Sequence, residues 1–402
     1  MRHTDVAIAG GGLAGSTVAA MLGRAGIRAV LIDPHMAYPP DFRVEKLDAS
    51  QMSLVQKTGL TSVIQHAGTF DGEVSIARFG RLVERRPNAQ YGLYYDTMVN
   101  AMRAEMSLGT DFIHAKVAAM ATSDDRQTLT LSTGEEISAR LIVLATGLNI
   151  GLRHTLGIER EVISTCHSIS IGFDLAPVGG RGFDFRALTY YCERITDRMA
   201  YLTLFPIGSV MRGNLFVYRD MQDPWLRQMR HAPREALFAL MPSLHRLTGE
   251  VEATEIKIRP VDLHITKGHR QAGIVIVGDA FATSCPAAGT GCNKVFTDVE
   301  RLGNHHIPRW LATDGMGVDK IAAYYDDPVK VASDQYSHDK AFYLRALSTD
   351  GGLTWRARRW ARFIAQSGVG ALRSARERFG APARERDGEA GDAAHGLSNW
   401  KP

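Results

Sequence analysis

The sequence has few cysteines and no long apolar runs, and both absences exclude classes of protein. Only four cysteines occur in 402 residues, and they form neither a CxxC pair nor a spacing typical of zinc ligands. We therefore expect no metal site and no disulfide, as is usual in a reducing cytoplasm. No apolar run reaches the roughly 18 residues of a membrane-spanning helix. The chain is expected to be a cytoplasmic protein without a membrane span.

The composition is that of an ordinary globular protein, with 45% hydrophobic and 22% charged residues. At roughly 100 to 200 residues per domain, the length allows two packed domains and a tail. A buried-strand pattern already begins at Asp5, so we expect no secretory signal before it. We find no internal repeat.

The net charge of +4 is concentrated in the segment from Trp355 to Arg378, which contains seven arginines. As a helix, this segment would either lie on an anionic membrane surface or an acidic partner protein, or pack on the protein with a solvated arginine face. No nucleic-acid-binding motif accompanies the charge, so we expect no nucleic-acid partner.

A glycine-rich turn lies between the first predicted strand and the first predicted helix. The glycines fit GxGxxG, and the second predicted strand, 28–33, ends in an acidic residue. In such a turn the first glycine allows the tight bend, the second lets the backbone approach a pyrophosphate, and the third permits close helix packing. The carboxylate would accept hydrogen bonds from ribose hydroxyls, so the pattern indicates an ADP-containing cofactor without separating FAD from NAD. The predicted binding residues are Gly10, Gly12, Leu13, Ala14, Gly15 and Asp33.

A second turn follows the buried strand 273–277 and reads GDAFATSCPAAGTGCNKVFTDVERL. Asp279 stands at the carboxyl end of that strand, where a carboxylate can bind ribityl hydroxyls. The glycines free the backbone to approach a flat ring, and a helix beginning near Asn293 would point its amides at that ring. The predicted binding residues are Asp279, Pro286, Gly289, Thr290, Gly291, Cys292 and Asn293.

Over about 5–310 the sequence resembles the flavoprotein monooxygenases of the p-hydroxybenzoate hydroxylase type, whose second flavin motif reads GDAAHxxxPxxGQGxN. The chain departs from this motif at Phe281, Ala282 and Thr290. The resemblance implies FAD as the cofactor. The matching residues are Gly278, Asp279, Ala280, Pro286, Gly289, Gly291 and Asn293.

Two further segments extend the resemblance. Arg43 corresponds to the family's arginine beside the flavin ribityl chain and pyrophosphate, with a solvated surface arginine as the alternative. The family's motif ADGxxSxxR falls at 145–153 and reads ATGLNIGLR, which keeps Gly147 but has Thr146 and Ile150 in place of the acid and the serine. The family's usual arginine near position 95 is Tyr95. Because the third motif is associated with NAD(P)H binding, its divergence leaves NADH, NADPH and a separate reductase open.

The activity implied by the resemblance is hydroxylation of an aromatic or other electron-rich small molecule. NAD(P)H would reduce the FAD, and O2 would react through a flavin C4a-hydroperoxide. Three alternatives share the fold: a halogenase, whose WxWxIP signature is absent here, a reductase or dehydrogenase, and a flavoprotein without enzymatic activity.

A general base that deprotonates a phenolic substrate would assist the reaction. The candidates are His167, Tyr190, Tyr191, Tyr201 and His264. The alternative for each is a structural residue that packs its ring and hydrogen-bonds its polar atom.

Cys285 lies one residue before Pro286 of the second turn. It is either a thiol in contact with the flavin, even covalently, or a small buried filler.

The strand and helix pattern predicts an α/β fold with a Rossmann-like FAD-binding domain, an inserted β-rich substrate domain and a C-terminal helical segment. The central parallel strand is expected at 141–145, and an antiparallel sheet between 162 and 219. The FAD-binding domain is assigned to 1–73, 96–160 and 260–325, the substrate domain to 74–95 and 161–259, the C-terminal helices to 326–380, and a disordered tail to 381–402.

Overall fold

The computed structural model describes residues 1–106, 109–180 and 182–378, so the predicted tail at 381–402 lies outside the described residues. The strands, numbered in chain order, are β1 (Arg2–Ala9), β2 (Ala29–Asp33), β3 (Lys46–Leu47), β4 (Thr69–Phe70), β5 (Glu73–Arg78), β6 (Arg81–Pro87), β7 (Tyr91–Gly92), β8 (Thr110–His114), β9 (Val117–Ala121), β10 (Gln127–Leu131), β11 (Glu136–Leu144), β12 (Glu159–Pro177), β13 (Leu188–Tyr191), β14 (Met199–Ile207), β15 (Val210–Val217), β16 (Val251–Lys267) and β17 (Ile274–Ile276). The α-helices are α1 (Leu13–Arg24), α2 (Ala49–Lys57), α3 (Thr61–Ala67), α4 (Tyr95–Ala104), α5 (Gly151–His154), α6 (Pro224–His231), α7 (Pro233–Leu240), α8 (His245–Thr248), α9 (Gly291–Glu300), α10 (Ile307–Leu311), α11 (Val318–Tyr325), α12 (Pro328–Thr349) and α13 (Leu353–Arg378).

The first sheet has a parallel centre in the order β8-β2-β1-β11, and β17 pairs in parallel with the carboxyl half of β11. Antiparallel β10 and β9 extend it along the amino half of β11. The predicted β-α-β unit and the central parallel strand are both confirmed. Because β1, β11 and β17 are parallel neighbours, their carboxyl ends open at one edge of the sheet, where such sheets bind ligands.

The second sheet has the order β16-β12-β15-β14-β13-β5-β6 and is antiparallel except for the pair β13 and β5. One face of its central strands carries apolar residues that pack against α6 and α7. Leu226 of α6 and Leu237 of α7 belong to this buried cluster. This buried cluster is separate from the one around the first sheet. β12 and β16 pair over 159–177 and 251–267, so both strands continue through the predicted domain boundaries near 160 and 260.

The sequence prediction missed α6, although its start carries a clear signal. Asp223 accepts a hydrogen bond from the backbone N–H of Trp225, and Pro224 occupies the first helical position. An acidic N-cap followed by proline is a favoured helix start. α1 begins at Leu13, directly at the first glycine turn, and α9 begins at Gly291, two residues before the predicted start near Asn293.

The arginine-rich segment forms α13, which packs along β6 and beside α12. Trp360 stacks on Phe79 at 5.3 Å between ring centroids, and Phe363 meets the same ring edge-on at 5.2 Å. The helix is therefore packed on the protein, while Leu353 and Ile364 are exposed. None of the helices in the described ranges has the length and apolar character that crossing a bilayer requires.

Candidate functional site

A cavity of about 720 Å³ lies at the carboxyl ends of β1, β11 and β17, and its far wall is formed by β13, β14 and β15 of the second sheet. Its volume is within the range of roughly 300–1,000 Å³ that is usual for ligand sites. Most predicted cofactor residues line it: Gly10, Gly12, Leu13, Ala14, Asp33, Arg43, Gly147, Asp279, Pro286, Gly289, Gly291 and Cys292.

Three predicted cofactor residues do not line the cavity and instead hold the turns in place. Gly15 lies against the first turn, where a Cβ would come within 1.9 Å of the carbonyl oxygen of Gly10. Thr290 shares a hydrogen bond of 2.8 Å with Ser337 of α12. The Asn293 amide bonds to residues of α2, donating to the Ser50 hydroxyl at 3.1 Å. Their contacts are therefore those of supports behind the cavity wall.

The first turn brings backbone and not side chains to the cavity. Gly10 has φ +102°, and a Cβ there would come within 2.6 Å of the Ala145 carbonyl oxygen, so only glycine fits. Gly12 precedes α1, and a Cβ at this position would have no neighbour closer than 3.8 Å and would occupy cavity space. The backbone N–H of Leu13 donates to the hydroxyl of Tyr95 at 3.3 Å. The positive end of α1 thus faces the cavity with one amide held by a tyrosine.

Asp33 is fixed by partners on three sides. Its carboxylate accepts the backbone N–H of Gly11 at 2.6 Å and that of His35 at 2.9 Å. It also forms a buried ion pair with Arg103, at 3.2 Å. Arg103 in turn donates to the Gly11 carbonyl oxygen at 2.6 Å, so the carboxylate and the turn are locked together.

The second turn is held by α2 and by the second sheet. Gly289 has φ +66°, and α9 begins two residues later, so that Gly291 and Cys292 place the helix N-terminus at the cavity. Gln51 donates to the carbonyl oxygen of Gly289 at 3.1 Å, and Tyr201 donates its hydroxyl proton to that of Ala287 at 2.6 Å. The turn therefore has fixed geometry before any ligand binds.

A buried charge cluster supports the second turn from behind. Asp298 accepts the backbone N–H of Gly278 at 3.1 Å and lies 3.0 Å from the ammonium groups of both Lys294 and Lys330. Burial alone would raise the pKa of Asp298, but the two lysines together hold it below its ordinary value. The carboxylate stays ionised and anchors the residue that precedes Asp279.

The divergent third motif stays connected to the second turn. Arg153 is buried and donates to the Ala280 carbonyl oxygen and, at 3.0 Å, to that of Asn149. Thr146 donates to the same Asn149 carbonyl at 3.3 Å. Ile150, which replaces the family's serine, is exposed. The arginine thus keeps a structural contact, while the positions that changed face the cavity mouth or solvent.

The five candidate bases separate into two groups. Tyr191, Tyr201 and His264 line the cavity, whereas His167 and Tyr190 do not. Burial lowers the pKa of His167 to about 4, and its Nε2 lies 3.3 Å from a backbone carbonyl, so this ring is neutral and structural in its contacts. Tyr190 is buried and donates its hydroxyl proton to Glu193.

The three candidates at the cavity are already hydrogen-bonded or stacked. The imidazole of His264 lies between the Asp279 carbonyl oxygen and the Thr283 hydroxyl, each at 3.3 Å, and burial lowers its pKa. Burial raises the pKa of Tyr201, whose proton is held by Ala287. His264 and Tyr201 therefore lack the free, readily titrated atom that a general base requires, and Arg78 lies over the ring of Tyr191 with its Cζ 3.7 Å from the ring centroid.

Several residues of the cavity wall and of its supports, among them Arg103 behind the first turn, were missed by sequence reasoning. Arg103 had a usable signal, because it extends the buried face of α4 formed by Met98, Val99 and Met102, and a buried arginine needs an acidic partner. The cavity residues contributed by the second sheet and the C-terminal helices had no local signal. These include Asn214, Phe216, Lys340, Tyr343, Leu344 and Arg362.

These residues fit FAD. Two helix N-termini, those of α1 and α9, face one cavity and favour an anionic pyrophosphate and an electron-rich ring. The open position at Gly12 leaves room for phosphates beside the backbone. Asp33 and Asp279 both line the cavity as acceptors for hydroxyl groups of a long cofactor.

Comparison with known proteins agrees with this geometry. The chain is 24% identical over 320 residues to the 3-demethoxyubiquinol 3-hydroxylase of Escherichia coli (strain K12), a match covering 74% of this chain and 78% of that protein. The fold is similar to that of p-nitrophenol 4-monooxygenase from Pseudomonas putida DLL-E4, with a TM-score of 0.69 at 15% identity over 92% and 95% of the two chains. It is also similar to aklavinone-11 hydroxylase in complex with FAD and aklavinone, with a TM-score of 0.69 at 19% identity over 87% and 70%.

A family described as "FAD binding domain" matches residues 3–306, which is most of the chain and includes both glycine turns. The protein therefore belongs to this family, and its cofactor is FAD.

Proposed function

We propose that the protein is an FAD-dependent monooxygenase that hydroxylates an aromatic or other electron-rich small molecule with O2, using NADH or NADPH as reductant. The observation that carries this proposal is the single cavity that runs from the two glycine turns to the second sheet. It provides room for a substrate beside the flavin ring. The reaction class is supported by the three similar proteins, which are a 3-hydroxylase, a 4-monooxygenase and an 11-hydroxylase.

The proposed cofactor contacts follow from the cavity lining. The first turn and Asp33 would hold the adenosine and pyrophosphate, Arg43 and Asp279 would hold the ribityl chain, and the second turn with the α9 N-terminus would bind the ring. When bound, FAD supplies the redox chemistry and the activation of oxygen. The chain holds the cofactor and the substrate in position and provides an environment with little water.

Aromatic residues form part of the cavity wall on the side of the second sheet and the C-terminal helices. Tyr191, Tyr201 and Phe216 line it from the second sheet, and Leu344 closes it from α12. Aromatic walls bind planar ligands and exclude water from the reacting centre. Since His264 and Tyr201 are already hydrogen-bonded, we assign no proton transfer to either side chain.

The two sheets with their separate buried clusters support the proposed domain division, in which the second sheet forms the substrate domain. The C-terminal helices close the cavity between the two. We also propose a cytoplasmic location, and contact with an anionic membrane surface or acidic partner through the exposed Leu353 and Ile364 and the solvated arginines of α13.

The experiment that tests the function uses the purified protein with FAD bound. Under anaerobic conditions, NADH or NADPH should bleach the flavin absorbance, and an accepted substrate should accelerate the bleaching. After ¹⁸O2 is admitted in place of air, mass spectrometry should find one ¹⁸O atom in the product. A flavin that is reduced but yields a saturated or dehydrogenated product supports the reductase or dehydrogenase alternative and contradicts the proposal.

A further inference from the structure

One side of α13 faces the protein and includes two arginines. Arg359 donates to the backbone carbonyl oxygens of Leu347 and Asp350, at 3.0 and 2.8 Å. Arg362 lines the cavity, and its Cζ lies 5.2 Å from the ring centroid of Tyr343. Both arginines are half-buried and turned towards the protein. The solvated face of α13 is therefore formed by other residues.

The opposite side of α13 is apolar and exposed. Leu353, Trp360 and Ile364 follow one another at intervals of seven and four residues, which places them on one face of a helix. Leu353 is 82% exposed and Ile364 65%, and Trp360 keeps 49% of its surface exposed beside its contact with the second sheet. Ala357 and Ala361 lie on the same face and are also exposed. These five residues form an apolar strip about 16 Å long, at a rise of about 1.5 Å per residue.

Positive charge borders the apolar strip. Arg356 and Arg358 are exposed on its two sides. No acidic residue occurs in the sequence from Leu353 to Gly370. The strand along which α13 packs, β6, adds the exposed Arg81 and Arg85. An apolar centre thus lies within a basic surface.

This arrangement is typical of a helix that lies in a membrane interface. In such a helix, apolar side chains enter the boundary between headgroups and acyl chains, and the arginines meet anionic headgroups. Trp360 suits this depth, because its ring is amphipathic. An anionic bilayer therefore matches both the apolar strip and its charged borders.

Two other occupants match only one of these features. A second copy of the chain would cover the apolar strip, but it would bring the arginines of two helices together, and like charges across an interface repel. An acidic protein would pair with Arg356 and Arg358, but the apolar strip between them would then lie against a charged surface.

We propose that the protein docks on an anionic lipid bilayer through the apolar strip of α13, with Arg356 and Arg358 at the headgroups. The proposal goes beyond the proposed reaction and selects one of the two partners considered for α13. It also brings the bilayer close to the cavity, since the inner side of the same helix contributes Arg362 to the cavity wall. Docking requires no assumption about the reaction, so each proposal can fail without the other.

The test is co-sedimentation of the full FAD-loaded chain with lipid vesicles, measured by flavin absorbance in the pellet. Vesicles of phosphatidylcholine with phosphatidylglycerol should bind the protein at least about tenfold more tightly than vesicles of phosphatidylcholine alone. Raising the salt concentration from about 0.1 M to about 1 M should weaken this binding, because it shortens the screening length from about 10 Å to about 3 Å.

Variants separate the apolar strip from its charged borders. The double variant Leu353→Ser, Ile364→Ser should bind anionic vesicles roughly tenfold more weakly, because less apolar surface enters the bilayer. Arg356→Gln combined with Arg358→Gln should remove most of the preference for phosphatidylglycerol. Val178→Ser changes an exposed apolar residue directly after β12 and should bind as the wild type does.

Binding to neither kind of vesicle, or equal binding to both, would overturn the proposal. Unchanged binding of the double serine variant would also overturn it, because the arginines would then act alone, as they would on an acidic partner. A concentration-dependent dimer in light scattering that the double serine variant abolishes would show instead that a second copy covers the apolar strip. All five substituted positions are exposed, so the variants should keep the urea midpoint of the wild type. Flavin reduction measured without vesicles tests the proposed function separately.

Discussion

Arg43 donates through its Nη1 to Oδ2 of Asp279 at 2.9 Å, although 236 residues separate the two positions. The same guanidinium group donates to Asp41 at 2.6 Å and lies over the ring of Tyr95. The segment after β2 is thereby connected to the second glycine turn, and both residues line the cavity. A surface arginine, the alternative that the sequence left open, is not what the structure shows, because only 22% of this side chain is exposed.

Replacement of Asp279 by alanine should weaken FAD binding by about tenfold or more, because it removes a hydroxyl acceptor and releases Arg43. Flavin content after dialysis and the dissociation constant of the apoprotein measure the effect. Asp326→Ala is the matched control, since Asp326 pairs with Arg270 at the surface and does not line the cavity. Equal flavin affinity in the two variants would contradict the role of Asp279.

Arg103→Met should lower the free energy of unfolding by about 3 to 5 kcal/mol, because it leaves Asp33 buried without its ion partner. It should also reduce FAD affinity, since the Gly11 carbonyl oxygen loses its donor. Urea unfolding provides the measurement. Arg234→Met breaks an exposed pair with Glu235 and should leave the urea midpoint nearly unchanged. A similar loss of unfolding free energy in both variants would show that the buried Arg103 pair stabilises the protein no more than an exposed pair does.

The local features of the site were predictable from the sequence, because each depends on a few consecutive residues. The turn from Gly10 to Gly15 is defined by glycine spacing between an apolar strand and a helix, and Asp279 by its place at a strand end. The conformation of the turn and the position of Asp279 follow directly from backbone geometry. We therefore expected both to lie at one cavity.

The side-chain partners were not predictable in the same way. Arg362 reaches the cavity only because α13 packs along β6, and nothing in its own neighbourhood of the sequence indicates that packing. The lengths of β12 and β16 likewise depend on their pairing with each other, since the first half of β12 is largely exposed and shows no buried-strand pattern. Long-range packing decides such features, and local propensity does not.

Acid should destabilise the protein partly through Asp327, the N-cap of α12, which accepts hydrogen bonds from Arg301 and His306 at 2.9 Å each. Burial alone would raise the pKa of Asp327, but these partners lower it to about 2. The pKa of Asp327 is thus lower in the folded protein than its unfolded value of about 3.9. Its ionised carboxylate therefore stabilises the folded state in full above about pH 3.9, and this stabilisation is lost as the pH falls towards 2.

Asp327→Asn keeps the cap but removes the charge. The difference in urea midpoint between the wild type and this variant should therefore shrink as the pH falls from about 4 to about 2. A difference that stays constant over this interval would show that the charge of Asp327 contributes nothing to acid stability.

FAD should be released in full when the protein is denatured, because Cys285 does not line the cavity. Its Sγ lies 3.5 Å from the Ser168 hydroxyl, and burial raises the pKa of the thiol, which disfavours the reactive thiolate. Acid precipitation should leave all flavin in the supernatant, and Cys285→Ala should bind FAD as the wild type does. Flavin in the precipitate would contradict this prediction, and Cys292→Ala would then show whether the thiol that lines the cavity is the point of attachment.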